Sequence, residues 1–190
     1  GAGPARAALG AAWLQQQGPL CGILSAGFAG GLCPALATGD AILPTHLLAW
    51  PSAPTLSLRI SAPSWRQWAI EAAAQAQLVG HSGALVSTAT VIRQASDKQR
   101  LGRQLAAIAV DMESYSLGQA ARSAGLPFLP LRTVFDTATE ECVLPPEVVL
   151  TASGSLRPVA LSLFLTRHPW LLSRMPSLRR QAQCAGRALQ

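Results

Sequence analysis

Apolar and polar positions along the chain fall into short runs with breaks between them. Leu20 to Ser25 is a brief apolar run of buried-strand character, Ala41 to Leu43 a second, Thr55 to Ile60 a third and Gly83 to Ser87 a fourth. Alanine-rich Ala5 to Gln17 predicts a helix with Pro4 suited to its first turn. Ser64 to Leu78 predicts another, and Asp97 to Leu105 a third with Ser96 as its N-cap. The proline-bearing region from Pro44 to Pro63 reads as holding one clear strand, Thr55 to Ile60. Two helices close the chain, near Ser155 to Thr166 and Ser177 to Ala188. Strands and helices alternate throughout. This predicts an α/β protein with a mixed central sheet flanked by helices on both faces.

The stretch from Ile108 to Asp136 organises the rest. An apolar run ends in Asp111-Met112-Glu113, an alanine-rich helix closes at Gly125, and a second apolar run ends in Asp136. Strand, helix, strand of this kind predicts a βαβ unit. It would bring an acid to the C-terminal edge of each strand, the edge where open α/β sheets bind ligands. A glycine-rich segment adds to this. Gly27, Gly30 and Gly31 follow an apolar run, so a loop with close backbone approach is expected after it, with a tight bend against a neighbouring strand as the alternative. Gly1-Ala2-Gly3-Pro4 opens directly into a helix and reads as the middle of a fold, so an N-terminal strand is expected to precede it.

Composition narrows the class. At 190 residues and 49% hydrophobic content, one domain with a substantial core is expected over residues 1–190. Residues 1–150 balance nine basic against nine acidic side chains, and residues 151–190 carry six arginines with no acid. A basic segment confined to the C-terminus, with no helix-turn-helix, RNP or zinc-finger pattern, does not describe a nucleic-acid binder. The single lysine, Lys98, against fourteen arginines reads as compositional bias. Cys21, Cys33, Cys142 and Cys184 are scattered without a C-x-x-C pair, and His46, His81 and His168 are isolated. A zinc site is therefore not expected, and reduced thiols in a cytoplasmic protein are. No apolar run reaches the ~18 to 20 residues of a membrane span.

Three segments in order carry a resemblance: Ser25-Ala-Gly-Phe-Ala-Gly-Gly-Leu-Cys-Pro-Ala-Leu-Ala-Thr-Gly-Asp40, Val110-Asp-Met-Glu-Ser114 and Leu131-Arg-Thr-Val-Phe-Asp136. Together they resemble the nucleoside phosphorylase and nucleosidase superfamily, which holds purine nucleoside phosphorylases and methylthioadenosine/S-adenosylhomocysteine nucleosidases. Asp-Met-Glu-Ser, Leu144-Pro145-Pro146 and the Arg-His-Pro-Trp stretch at 167–170 are most similar to the hopanoid-associated phosphorylases, also described as adenosylhopane nucleosidases. The likeness covers most of residues 1–136.

The resemblance implies a phosphorylase/hydrolase-like fold and cleavage of an N-glycosidic bond, with no cofactor and phosphate as the co-substrate of phosphorolytic members. Asp136 stands where the family's catalytic acid protonates or hydrogen-bonds N7 of the purine. Aspartate there favours a 6-aminopurine, hence adenine. The plain alternative is a surface acid capping the next turn. Glu113 resembles the glutamate that holds the ribose hydroxyls, Met112 would pack on the sugar, and Asp111 is expected to be structural. The stretch from Thr90 to Ile92, centred on Val91, matches the backbone that pairs with the base. Gly27, Phe28 and Ala29 would lie under the sugar or the nucleophile site.

Two departures follow from the same comparison. Phosphorolytic relatives place an arginine near Ser25 and a serine at Phe28, and nucleosidases place a serine at Phe135. Losing the cation argues against phosphate as nucleophile. The two phenylalanines suit a bulky apolar 5′ substituent. The hydrolytic glutamate of the family is expected before Gly1. The leading expectation is release of adenine from adenosylhopane, with the same cleavage of methylthioadenosine or S-adenosylhomocysteine as the alternative. A truncated, noncatalytic nucleoside-binding relative is the third reading. The family implies a homo-oligomer. Leu163-Phe164-Leu165 and Trp170-Leu171-Leu172, interleaved with Arg167, Arg174, Arg179 and Arg180, admit two readings. One is peripheral contact with the inner membrane; the other, preferred, is a helix covering the sheet with its arginines in solvent.

Overall fold

A computed structural model describes residues 9–10, 12–13, 16, 18–51, 56–60, 63–142, 157–169, 171 and 175–188. The strands are β1 (Ile23–Gly31), β2 (Ala41–Ile42), β3 (His46–Trp50), β4 (Leu56–Arg59), β5 (Gly80–His81), β6 (Ala84–Thr88), β7 (Ala107–Asp111) and β8 (Phe128–Asp136). They form one mixed sheet in the order β4-β3-β6-β7-β1-β8-β2-β5. The flanking helices are α1 (Pro63–Gln75), α2 (Ala95–Leu105), α3 (Ser114–Ser123), α4 (Pro158–Arg167) and α5 (Met175–Arg187). The expected α/β class with a mixed sheet is the observed one.

Side-chain alternation explains the layering. Leu47, Leu85 and Ala109 enter one apolar cluster with Tyr115 and Ala121 of α3. Their immediate neighbours Leu48, Val86 and Val110 enter another with Leu101 of α2. Successive residues of a strand point to opposite faces. So α3 and α2 lie on opposite sides of β3, β6 and β7, which are covered on both. Each fully buried Leu or Val contributes roughly 1.5–3 kcal/mol relative to exposure. A third cluster of Leu43, Ala69 and Leu129 seats α1. Thr133 of β8 donates its hydroxyl to the Ala185 carbonyl at 3.1 Å, which docks α5, while Arg179, Arg180 and Arg187 remain exposed.

The structure corrects several sequence expectations. Glycines 27, 30 and 31 lie inside β1, not in a loop. The strand pairs with β8 in parallel, from Ile23 opposite Phe128 to Ala29 opposite Val134. Close approach is nonetheless their purpose: a Cβ on Gly30 would lie 3.1 Å from Asp136 Oδ1 and 3.3 Å from Val110 Cγ1. The expected βαβ unit is also not a plain one. β1 stands between β7 and β8, parallel to β8 but antiparallel to β7 through Gly30–Val110 and Gly31–Ala109. The end of β1 that carries no side chains lets β7 pass against it in the opposite sense, and the C-terminal ends of β7 and β8 still meet there.

β3 was hidden among prolines, yet it joins β4 to β6, with Leu47 fully buried. Its short apolar run between Pro44 and Pro51 is the signal that would have found it. α2 starts at Ala95, with Gln94 and not Ser96 as its N-cap, and no side chain caps it. Of the helix expected over Ala5 to Gln17, residues 9, 10, 12, 13 and 16 are helical and the others lie outside the described residues. So do Leu144-Pro145-Pro146, Trp170 and Arg174.

One buried polar node ties five elements together. Arg132 of β8, 4% exposed, donates from Nε to Asp111 of β7 at 2.9 Å. Its terminal nitrogens donate to the Ser25 carbonyl at 2.7 Å and hydroxyl at 3.1 Å on β1, to the Leu131 carbonyl at 2.9 Å, and to the Ser114 hydroxyl of α3 at 2.8 Å. Asp111 also accepts the Ser114 amide at 3.1 Å and the Ser87 hydroxyl of β6 at 2.6 Å. Ser87 in turn accepts the Tyr115 amide at 2.9 Å. The free amides at the start of α3 are thus satisfied by strand side chains. The expectation that Asp111 is structural agrees with this.

Removing one partner of such a pair strands the other charge in the core. Arg132→Met should cost about 3–5 kcal/mol in urea unfolding. Combined with Asp111→Leu, it should cost less than the two single losses summed, with a coupling of about 0.5–3 kcal/mol in a double-mutant cycle.

Candidate active site

β8 reaches its acid through a bulge. The β1–β8 register runs evenly to Ala29–Val134 and then pairs Gly30 with Asp136, leaving Phe135 as the extra residue. A bulge re-aims the side chains beside it. Here the Asp136 carboxyl lies against the bare backbone of Gly30, with Oδ1 nearest that strand. Phe135 is turned onto Phe28, their rings 5.7 Å apart and tilted 58°. Phe28 is 47% exposed, so this aromatic pair forms an apolar wall open to solvent beside the acid.

On its other side the carboxyl meets α2. Lys98 Nζ donates to Asp136 Oδ2, to the Thr137 carbonyl at 3.0 Å and to the Glu140 carbonyl at 2.9 Å. An ammonium has three hydrogens, and all three are matched. Burial pushes the Asp136 carboxyl above the ordinary aspartate range; the charge and hydrogen bond of Lys98 pull it down less strongly, and Glu140 adds a smaller upward push. The turn after β8 is pinned as well. Glu140 accepts from the Thr137 amide at 2.9 Å and from Gln181 of α5 at 2.9 Å, and the Cys142 amide donates to the Arg93 carbonyl at 2.9 Å.

The other expected residues lie on neighbouring segments. Met112 and Glu113 form the half-buried bend between β7 and α3, and Glu113 is the N-cap position of that helix. Val91 is half-buried in the segment between β6 and α2. The Thr88 hydroxyl donates to the Thr90 carbonyl at 2.8 Å, and lies 3.5 Å from the Asp111 carbonyl. That links the segment expected to face the base with the one expected to face the ribose. Gly27 and Ala29 belong to β1, where a Cβ on Gly27 would meet the Arg132 guanidinium at 3.6 Å. Sequence reasoning missed Lys98, Arg132 and Glu140. Lys98 had only its rarity to mark it.

The position near Ser25 has a cation beside it after all, supplied by Arg132 from the next strand. Its donors are all taken by protein groups, so it fills the space structurally. An apolar cleft of about 350 Å³ lined by Leu24, Trp65, Trp68 and Leu129 lies elsewhere. Leu24 precedes Gly30 along β1 by about 20 Å of strand, so the cleft is remote from Asp136. Among the described residues, no cluster of His, Cys, Asp and Glu is arranged to hold a metal ion, and no helix is long and apolar enough to cross a membrane.

The chain belongs to the Phosphorylase superfamily, whose family model matches residues 1–153. Among solved structures it is similar to a Helicobacter pylori 5′-methylthioadenosine nucleosidase mutant with 5′-methylthioadenosine in the active site, at 21% identity and a TM-score of 0.65, covering 73% of this chain and 65% of that one. A Neisseria meningitidis 5′-methylthioadenosine/S-adenosylhomocysteine nucleosidase in complex with methylthio-immucillin-A matches at 24% identity and a TM-score of 0.66, covering 74% and 67%. A Helicobacter pylori futalosine hydrolase mutant matches at 22% identity and a TM-score of 0.63, covering 70% and 66%. The chain thus spans about two thirds of the length of these structures. No curated protein matches the sequence.

The raised Asp136 titration has a signed consequence. The folded protein holds this proton more tightly than the unfolded chain, whose carboxyl keeps the ordinary value of 3.8. The stability it contributes is complete below that value and is lost as pH rises through the folded titration. Wild type should therefore be most stable relative to Asp136→Asn near pH 4 and lose that advantage toward neutral pH, read as the difference in Tm across a pH series.

Proposed function

We propose that this protein cleaves the N-glycosidic bond of an adenine nucleoside and releases adenine, with adenosylhopane as substrate. The observation that carries the reading is Asp136: a carboxyl with raised proton affinity at the end of β8, one oxygen facing the glycine end of β1. As the N9–C1′ bond breaks, its electron pair leaves with the purine, and Asp136 delivers a proton to N7. An acid that still holds its proton nearer neutrality suits that step. Glu113 accepts hydrogen bonds from the ribose hydroxyls, Met112 packs on the sugar, and the backbone around Val91 pairs with the base. The sugar passes through an oxocarbenium-like state that a nucleophile captures on the opposite face. The full engagement of Arg132 by Ser25, Ser114, Leu131 and Asp111 supports water over phosphate as that nucleophile.

Adenosylhopane is favoured over smaller nucleosides by the Phe28–Phe135 wall, a half-exposed apolar surface beside the acid. The Helicobacter pylori and Neisseria meningitidis nucleosidases named above hold 5′-methylthioadenosine and methylthio-immucillin-A, ligands without a hopane. The exposed arginines of α5, with Leu163 of α4 exposed at 58%, support contact with an anionic bilayer, where such a substrate would reside.

Adenine release from adenosylhopane and from methylthioadenosine, each with and without phosphate, is the direct test. Release from adenosylhopane independent of phosphate is expected. Release from methylthioadenosine alone would overturn the substrate assignment, and adenine binding without release from either would mark a noncatalytic relative. Asp136→Asn should lower kcat about 10²–10⁴-fold. Phe28→Ser should weaken turnover of adenosylhopane about ten-fold through KM, as loss of one apolar contact predicts, and leave methylthioadenosine little changed.

A further inference from the structure

Lys98 is the chain's single lysine and is 1% exposed. A buried ammonium persists only where its donors are matched and a counter-charge is near. Two of its three acceptors are backbone carbonyls of Thr137 and Glu140, so it clamps the turn that follows β8. Its third hydrogen bond goes to Oδ2 of Asp136. The other oxygen, Oδ1, is left facing β1, where only Gly30 permits it: a Cβ there would sit 3.1 Å away. One oxygen of the carboxyl is committed to Lys98, and the other lies against the Gly30 backbone.

We infer that Lys98 is the positioning residue of this site: through Oδ2 it holds Asp136 with Oδ1 toward the purine, and its ammonium stands beside the carboxylate left after proton transfer. The proton moves from Asp136 to N7 as the purine departs with the N9–C1′ electron pair. The carboxylate formed then lies against an ammonium already in place, so nothing has to reorganise when the charge appears. The groups that face Asp136 are Lys98 from α2, Glu140 from the turn, the Gly30 backbone from β1 and the apolar Val110 of β7. Lys98 lowers the proton affinity of Asp136 and Glu140 raises it. Lys98 touches no substrate and acts through Asp136 alone.

The catalytic half of this inference rests on the nucleosidase reading; the electrostatic half does not. The full chain, labelled with ¹³C at the aspartate carboxyls, gives the Asp136 titration directly in wild type, Lys98→Met and Lys98→Gln. Both variants should raise its midpoint by at least about one pH unit, a ten-fold gain in proton affinity. Glu140→Gln should lower it. With methylthioadenosine as probe, Lys98→Met should lower kcat about ten-fold or more while KM stays near wild type, and the alkaline limb of the rate profile should move up with the carboxyl titration. A midpoint that stays in place or falls in the lysine variants overturns the inference, as does an unchanged kcat. A variant-free measurement holds even if neither substitution folds. In wild type the ammonium resonance of Lys98 must shift as the Asp136 carboxyl titrates, and an ammonium resonance blind to that step overturns the assignment. If wild type releases no adenine, the nucleosidase reading fails, and the carboxyl titration alone decides the role of Lys98.

Discussion

The structure depends on keeping one ion pair dry. Arg132 and Asp111 sit where β1, β6, β7, β8 and α3 come together, and apart from the bond to the Leu131 carbonyl of β8 itself their hydrogen bonds run to another element. Charges are costly in a core unless every donor and acceptor is met. Meeting them here uses the hydroxyls of Ser25, Ser87 and Ser114. The node therefore sets the relative position of the strand that ends in Asp136 and the bend that carries Met112 and Glu113. The chemistry proposed for those residues inherits its geometry from a pair that takes no part in it.

The glycines of β1 work in the same economy of space. Sequence suggested a loop because glycine usually marks a turn. In the fold the missing side chain at Gly30 gives room to Asp136, whereas a Cβ at Gly27 would meet Arg132 at an ordinary 3.6 Å. The bulge at Phe135 then separates an apolar wall from an acid that would otherwise share its direction. Two aspartates at strand ends were visible in the sequence. Both follow apolar runs, so only the resemblance set Asp111 apart as structural, and the structure shows it fully occupied within the core.

The C-terminal segment has a structural task whatever else it does. α5 docks on β8 through Thr133 and reaches Glu140 through Gln181, and Glu140 lies in the turn that Lys98 clamps beside Asp136. The basic composition of residues 151–190 therefore does not separate that segment from the site. α5 is a cover whose inner face supports the turn after β8 and whose Arg179, Arg180 and Arg187 are exposed.

Apolar periodicity sufficed for the α/β class and for most elements, because burial of alternating side chains is a local property of each run. It also sufficed to single out Asp136, Glu113 and their neighbours, since those acids interrupt apolar stretches. Only the tertiary structure decided how the strands are ordered, that β1 passes between β7 and β8, and that β3 joins β4 to β6. It alone revealed Lys98 and Arg132 as the partners of the two aspartates. Such pairings join residues 38 and 21 positions apart, and no local pattern encodes them. They exist because a buried charge must find its opposite, and the fold determines which one lies within reach.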